Sequence, residues 1–238
     1  MIEKNISLDN DHKCLAQVIP LALKDRLRGV SVALIQTGDY PEALSKAKEA
    51  LLMAGAKPLS QLIIEPEWNR ADNLLNPRLA EIRTTKPGFP ASREQLSTKL
   101  AQLIAKGDSV IEPYLPIFEE EKFIRLSSEN DNTQPVKLAI FAMGSRNTNP
   151  SRATLVDLPL IRALQKEGVQ VIACELQGAE ISDIAAYREA KIDVTTIDNI
   201  SSDIGQCALI FAFSGEVQDY GVKSTAMSLL PNIEPPQP

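Results

Sequence analysis

Apolar residues return at helical spacing across 9–28, at Leu15, Val18, Ile19, Ala22, Leu23 and Leu27, and predict a helix interrupted only by Pro20. Gly29 ends that pattern. Residues 30–36, VSVALIQ, are apolar and β-branched and run straight into Thr37-Gly38-Asp39, which predicts a buried strand and a turn. Residues 40–54 are rich in Ala, Leu, Lys and Glu at helical period and close at Gly55; 58–64 then predict a second strand, completing one βαβ unit.

The middle of the chain is less regular. Pro66, Pro77, Pro87 and Pro90 surround a short apolar segment at Leu74, Leu75 and Leu79, which predicts an irregular surface excursion over 65–91. Helical patterns follow at 92–105 and 109–121, and Ser92 with Gln95 has the spacing of a capping box. The polar run 127–135, SSENDNTQP, is expected to be an exposed loop joining two halves. Beyond it the pattern predicts a strand at 136–143, a helix at 152–168, a strand at 169–174, a helix at 180–190 and a short strand at 194–197. Residues 203–213 fit either a helix or, through Ile210-Phe211-Ala212-Phe213, a strand. The tail after Pro231 is Pro-rich and expected to be disordered. Strand and helix alternate on both sides of the central loop, so the fold class is α/β, an open and mostly parallel sheet with helices on both faces, Rossmann- or flavodoxin-like.

With 238 residues, 44% of them hydrophobic and 24% charged, the chain has material for one large domain or two small ones. A net charge of −6 with no Lys or Arg run excludes a nucleic-acid surface. No stretch approaches the ~20 apolar residues that span a bilayer, and the opening MIEKNISLDNDHK lacks the apolar core of a signal peptide. Cys14, Cys174 and Cys207 have neither disulfide nor zinc spacing; Cys174 and Cys207 lie in apolar runs and read as small buried hydrophobes.

In an open parallel sheet, ligand chemistry is expected in the loops after the strands. Those loops hold Asp39, the Gly144-Ser145-Arg146-Asn147 turn with Ser151 beyond it, 175–178, and Asp198-Asn199, and none carries a Gly-rich phosphate fingerprint. Ser145 and Arg146 with neighbouring amides would suit a small anion. The only histidine, His12, precedes the first strand, so Ser-His-Asp and Cys-His catalysis are excluded; Glu119, Glu120 and Glu121 read as a solvated helix end. Asp39 and Asp198 remain the acid–base candidates. Copper donors, namely the three cysteines, His12, Met1, Met53, Met143 and Met227, are scattered without paired spacing, so no metal ligands are assigned.

The C-terminal third carries Asp157-Leu158-Pro159-Leu160-Ile161-Arg162-Ala163-Leu164 with Gly168-Val169. Glu180-Ile181-Ser182 and Tyr187-Arg188 come next, then Ile197-Asp198-Asn199-Ile200 and Gly205-Gln206-Cys207-Ala208-Leu209. Tyr220-Gly221-Val222-Lys223 and Leu229-Leu230-Pro231 close the set. In this order and spacing they resemble the MctB-like copper transport (outer membrane) family and the SteB-like envelope proteins. Pro20-Leu21, Arg26-Leu27, Val32-Ala33-Leu34, Thr37-Gly38-Asp39 and Ala54-Gly55-Ala56 extend the likeness to most of 15–231.

The resemblance implies an N-terminal membrane anchor, a coiled-coil stalk and an extracytoplasmic α/β domain. On that reading 1–28 is the end of the stalk, 29–231 the domain in two halves and 232–238 a tail. The anchor is expected to have been trimmed away, a naturally shortened form being the alternative. The expected role is non-enzymatic: copper homeostasis or transport, a stalk-mediated homodimer, and an envelope or division protein as partner. No cofactor is assigned, copper entering only through the resemblance. Ligand or interface residues are expected among Asp39, Ser145, Arg146, Ser182, Tyr187, Arg188, Asp198, Asn199, Gln206, Tyr220 and Lys223. The alternatives are an anion-binding sensor, with Arg146 and Lys223 converging on one pocket, and an enzyme with an unrecognised acid–base pair.

Overall fold

Seven strands, β1 (Ser31–Gln36), β2 (Lys57–Ile64), β3 (Ile124–Leu126), β4 (Leu138–Ala142), β5 (Gln170–Cys174), β6 (Thr195–Ile197) and β7 (Asp219–Tyr220), form one sheet in the order β3-β2-β1-β4-β5-β6-β7. The structure is a computed structural model that describes residues 2–68, 77–86, 88–90, 92–106, 114–126, 135–146, 152–189, 191–213 and 215–232. Every strand pair is parallel except β2–β3. β1 lies between β2 and β4, so the direction in which successive strands are added reverses at the β1–β4 boundary. Such a reversal opens a crevice beyond the strand ends, because the flanking connections depart to opposite faces.

Alternate residues of β1 serve two cores. Val32 and Leu34 pack with Leu44, Ala47 and Leu51 of α2 (Pro41–Met53), Leu209 and Ile210 of α8 (Asp203–Ala212), and Ile19 and Leu23 of α1 (Ile2–Leu23). Ala33 and Ile35 face Leu96 and Leu100 of α4 (Arg93–Lys106), Leu160 and Ile161 of α6 (Leu158–Lys166), and Ile184 and Tyr187 of α7 (Asp183–Glu189). Burial on both faces explains why β1 and β4 read as unbroken apolar runs rather than alternating ones. Among the described residues, no helix is long and apolar enough to cross a membrane.

Several elements differ from the sequence expectation. α1 runs through Pro20, and Lys24 N–H bonds Pro20 O at 3.0 Å. The missing proline amide deprives only the carbonyl of Ala16, a residue on an exposed turn. The excursion at 65–91 contains α3 (Pro77–Thr85), with proline in the first turn where its absent N–H costs nothing; 69–76 lie outside the described residues. The helix expected over 109–121 is α5 (Leu115–Glu120), 109–113 being outside the description. α7 begins at Asp183 rather than 180, since Ile181 pairs with Ser145 in an antiparallel bridge. The ambiguous segment at 203–213 is helical. Ser92 caps α4 as expected, accepting from Gln95 N–H at 3.3 Å. The loop at 127–134 and the tail from 233 lie outside the described residues.

The helix expected at 152–168 is α6 preceded by one π-helical turn, Ala153–Asp157, in which Leu158 N–H reaches back to Ala153 O. Pro159 has no N–H for the Leu155 carbonyl, so the ladder shifts register just before it. The shift holds Asp157 fully buried.

Close approach at the β1–β4 boundary depends on glycine: a Cβ on Gly38 would lie 2.5 Å from Met143 C and 2.6 Å from Gly144 O. Gly38→Ala is therefore expected to cost about 2 kcal/mol or more, because backbone must move. Gly178→Ala, with no atom within 4 Å of the added carbon, should stay within about 0.5 kcal/mol. Urea unfolding of the two variants checks the difference.

Candidate functional site at the strand ends

The turns after β1 and β4 interlock. Thr37 and Gly38 N–H both donate to Ala142 O at 3.0 Å, and Asp39 N–H donates to Gly144 O at 2.8 Å. Arg146 N–H donates to Asp39 Oδ2 at 3.0 Å, while Asp39 Oδ1 pairs with Arg152 Nη1 at 3.1 Å. The Arg146 guanidinium lies 5.0 Å from the Tyr40 ring centroid, and the Tyr40 hydroxyl accepts from Glu180 N–H. Gly144 N–H and Ser145 Oγ both donate to Asp183 Oδ2 at 3.0 Å. The anion-binding geometry expected at 144–147 thus exists, but Asp183 and Asp39 are its anions. Asn147 and Ser151 lie outside the described residues.

Behind this turn is a buried polar group that sequence reasoning passed over. Asp157 on the π-helical turn is fully buried, and its carboxyl group faces the hydroxyls of Thr37 and Tyr187. Burial raises its pKa to about 7, helped by the charge of Asp183, while Thr37, Tyr187 and Arg152 pull it down. The hydroxyls of Thr37 and Tyr187 are buried as well. Burial, then the neighbouring Asp157, pushes the Tyr187 phenol upward. Burial also raises Asp183, against the bonds from Ser145 and Gly144. A usable signal was present: Asp157 stands inside the apolar run Val156-Asp157-Leu158-Pro159, where a side chain is carried toward the core.

The ends of β5, β6 and β7 hold a second, saturated network. Arg188 and Asp198 are buried and paired at 2.6 Å through Nη1 and Oδ2. The same guanidinium donates from Nε to Thr196 Oγ1 at 2.8 Å, from Nη1 to Thr225 Oγ1 at 3.1 Å and from Nη2 to Tyr220 O at 2.7 Å; Asp219 Oδ1 lies 3.4 Å from Nε. Asp198 also accepts from Val222 and Lys223 N–H, at 2.8 and 3.2 Å. Gly221 passes so close, at φ 137°, that a Cβ there would sit 2.1 Å from Asp198 Oδ1.

Lys223 Nζ reaches the buried Glu175 carboxylate, which also accepts from Ser182 Oγ. Burial raises the Glu175 pKa against the pull of Lys223 and Ser182. Ser182 Oγ in turn accepts from Ala185 N–H, so it caps α7. Asn199 Nδ2 donates to Ser202 Oγ, which accepts Gly205 N–H and caps α8; Gln206 is buried in the first turn.

The structure therefore gathers Ser182, Arg188, Asp198, Tyr220 and Lys223 into one network, places Asn199 and Gln206 beside it, and groups Asp39, Ser145 and Arg146 separately. Tyr187 sends its hydroxyl toward Asp157. Arg146 and Lys223, expected to converge, are engaged with different partners. Sequence reasoning missed Glu175, Asp157 and Asp183. Among the described residues no group of three or more His, Cys, Asp or Glu is arranged to hold a metal ion. Cys174 and Cys207 are buried in the α1–α2–α8 core, and burial raises both thiols. Arg188→Met would strand the Asp198 carboxylate in the interior and is expected to cost about 3–5 kcal/mol. Arg188→Lys should fall between it and the parent, restoring charge without the fork. Denaturant unfolding of the two variants measures both.

No curated protein matches this chain. A family model described as "Copper transport outer membrane protein, MctB" matches residues 2–231, which takes in both cores, the β1–β4 boundary and the Arg188–Asp198 network. The chain belongs to the MctB family of copper-transport-related envelope proteins.

Proposed function

We propose that this chain is a non-enzymatic, extracytoplasmic interaction domain of an anchored envelope protein, that it pairs as a homodimer along α1, and that it serves copper homeostasis by binding a protein partner. The observation that carries this reading is the exposed apolar face of α1. Leu15, Val18 and Leu21 are 37%, 50% and 74% exposed on successive turns, while Ile19 and Leu23 are buried in the core. A helix apolar on both sides needs a second surface to cover its outer side. This agrees with the stalk expected over 1–28, whose last turns are then shared between dimer and domain.

The chemistry of the strand ends supports a scaffold over a ligand-binding sheet. Open, mostly parallel sheets that bind phosphates do so with glycine-rich amides at the point where the strand order reverses, here β1–β4. Here those amides are engaged by Asp183 and Asp39. Copper favours thiolate, thioether or imidazole donors, yet Cys174 and Cys207 are buried, protonated thiols. On this reading copper is handled by the assembled partner.

Two measurements test the proposal. In sedimentation velocity the parent chain is expected to dimerise, and Val18→Glu with Leu21→Glu to be monomeric with an unchanged circular-dichroism spectrum; a monomeric parent at its highest soluble concentration would sink the dimer. Calorimetric titration with Cu(I) under reducing conditions is expected to show no stoichiometric tight site. One-to-one binding abolished by Cys174→Ser with Cys207→Ser would replace the scaffold reading with direct metal handling.

A further inference from the structure

The Asp157 carboxyl group sits where three segments meet. It is 0% exposed and faces the hydroxyls of Thr37, on the turn after β1, and of Tyr187, on α7, each residue 1% exposed. Two charged groups act on it among the described residues. Asp183, at the start of α7, opposes its ionisation; Arg152, just before the π-helical turn, favours it, but that guanidinium is paired with Asp39 at 3.1 Å and donates to the Ile64 carbonyl at 3.4 Å. Asp183 in turn accepts from Gly144 N–H and Ser145 Oγ. An ionised carboxylate at this spot would be a second negative charge in the interior, beside a cation already engaged elsewhere. A neutral carboxylic acid suits its surroundings better, because a hydroxyl can donate to its carbonyl oxygen or accept from its O–H.

We propose that Asp157 is a proton-held latch: its neutral carboxyl group ties the π-helical turn to the turn after β1 and to α7, and loss of its proton loosens the β1–β4 end of the sheet. Because Asp157 is fully buried, the proton leaves to water when the turn opens, and hydration of the freed carboxylate then favours the open arrangement. Reclosing would return that carboxylate to the neighbourhood of Asp183, and since Asp183 holds Gly144 and Ser145, the turn after β4 responds with the turn after β1. The folded-state pKa of about 7 lies above the ordinary 3.8. The stability that the acid lends is therefore fully present below 3.8, declines as pH rises and is gone once pH has passed through about 7.

The test compares urea unfolding of the parent chain and of Asp157→Asn across the neutral range, asparagine keeping the neutral form at every pH. Relative to the variant, the parent's unfolding constant is expected to rise about tenfold per pH unit up to about pH 7 and then to level off, leaving the variant the more stable on the alkaline side. Tyr187→Phe removes a hydroxyl that favours the ionised carboxylate, so it should move the levelling-off point to higher pH. In the parent, the carbon-13 carboxyl resonance of Asp157, assigned through its own β-protons, should titrate at about pH 7, and the amide protection of Gly144, corrected for intrinsic exchange, should fall over the same range. The resonance and the Tyr187→Phe shift decide the matter if Asp157→Asn folds poorly. Parallel unfolding curves for parent and Asp157→Asn, or an Asp157 resonance titrating at about 4 like an ordinary aspartate, overturns the latch. Titration at about pH 7 with unchanged Gly144 protection overturns the opening it is held to control.

Discussion

The buried pair of Arg188 and Asp198 is the constraint around which the second half of the molecule is arranged. Taking two ions out of water costs several kcal/mol each, and their attraction offsets this only when the remaining donors and acceptors are also met. Here they are met from four separate segments: Thr196 in β6, the Tyr220 carbonyl in β7, the Val222 and Lys223 amides beyond it, and Thr225. β7 is two residues long and would be a weak edge alone, yet the guanidinium bonded to its carbonyl fastens it to the sheet. Gly221 follows from the same pair, since its backbone must pass where any side chain would strike Asp198.

That dependence explains why the separated motifs Tyr187-Arg188, Asp198-Asn199 and Tyr220-Gly221-Val222-Lys223 occur together. Each contributes part of one network, and a partial set would leave a buried ion unpaired. Resemblance therefore picked out residues that are united in space, although their partners, above all Glu175, were not legible. A glutamate directly after an apolar strand reads as solvated, and only the fold brings Lys223 and Ser182 over it.

Much of the fold was legible because period and punctuation agree. β1, α2, β2, α4, β4 and β5 each combine a clear apolar pattern with a glycine, proline or cap at the boundary. What was missed has physical reasons. β3 and β7 are three and two residues long, too short for any period to register, and both depend on neighbours already in place. The π-helical turn was invisible to a reading that assumes a constant 3.6-residue period, and Asp157 was lost with it. At Gly144-Ser145-Arg146 the sequence shows donor groups but not their partner, which is Asp183, 39 residues further on.

The two ends of the strand row differ in a way that bears on where change can occur. Around Arg188 and Asp198 the ion pair is supported by hydrogen bonds from several segments, so opening that region means breaking a buried ion pair together with its supporting bonds. Around Asp157 a carboxyl group whose pKa burial raises to about 7 is held against the Thr37 and Tyr187 hydroxyls. A carboxyl group whose folded-state pKa is raised favours its protonated form, so the stability it lends is present at low pH and lost as pH rises through about 7. Stability at the β1–β4 boundary is thus expected to follow the surroundings, while the β5–β7 side stays fixed. Since α7 carries Arg188 as well as Asp183 and Tyr187, it links the two ends of the strand row.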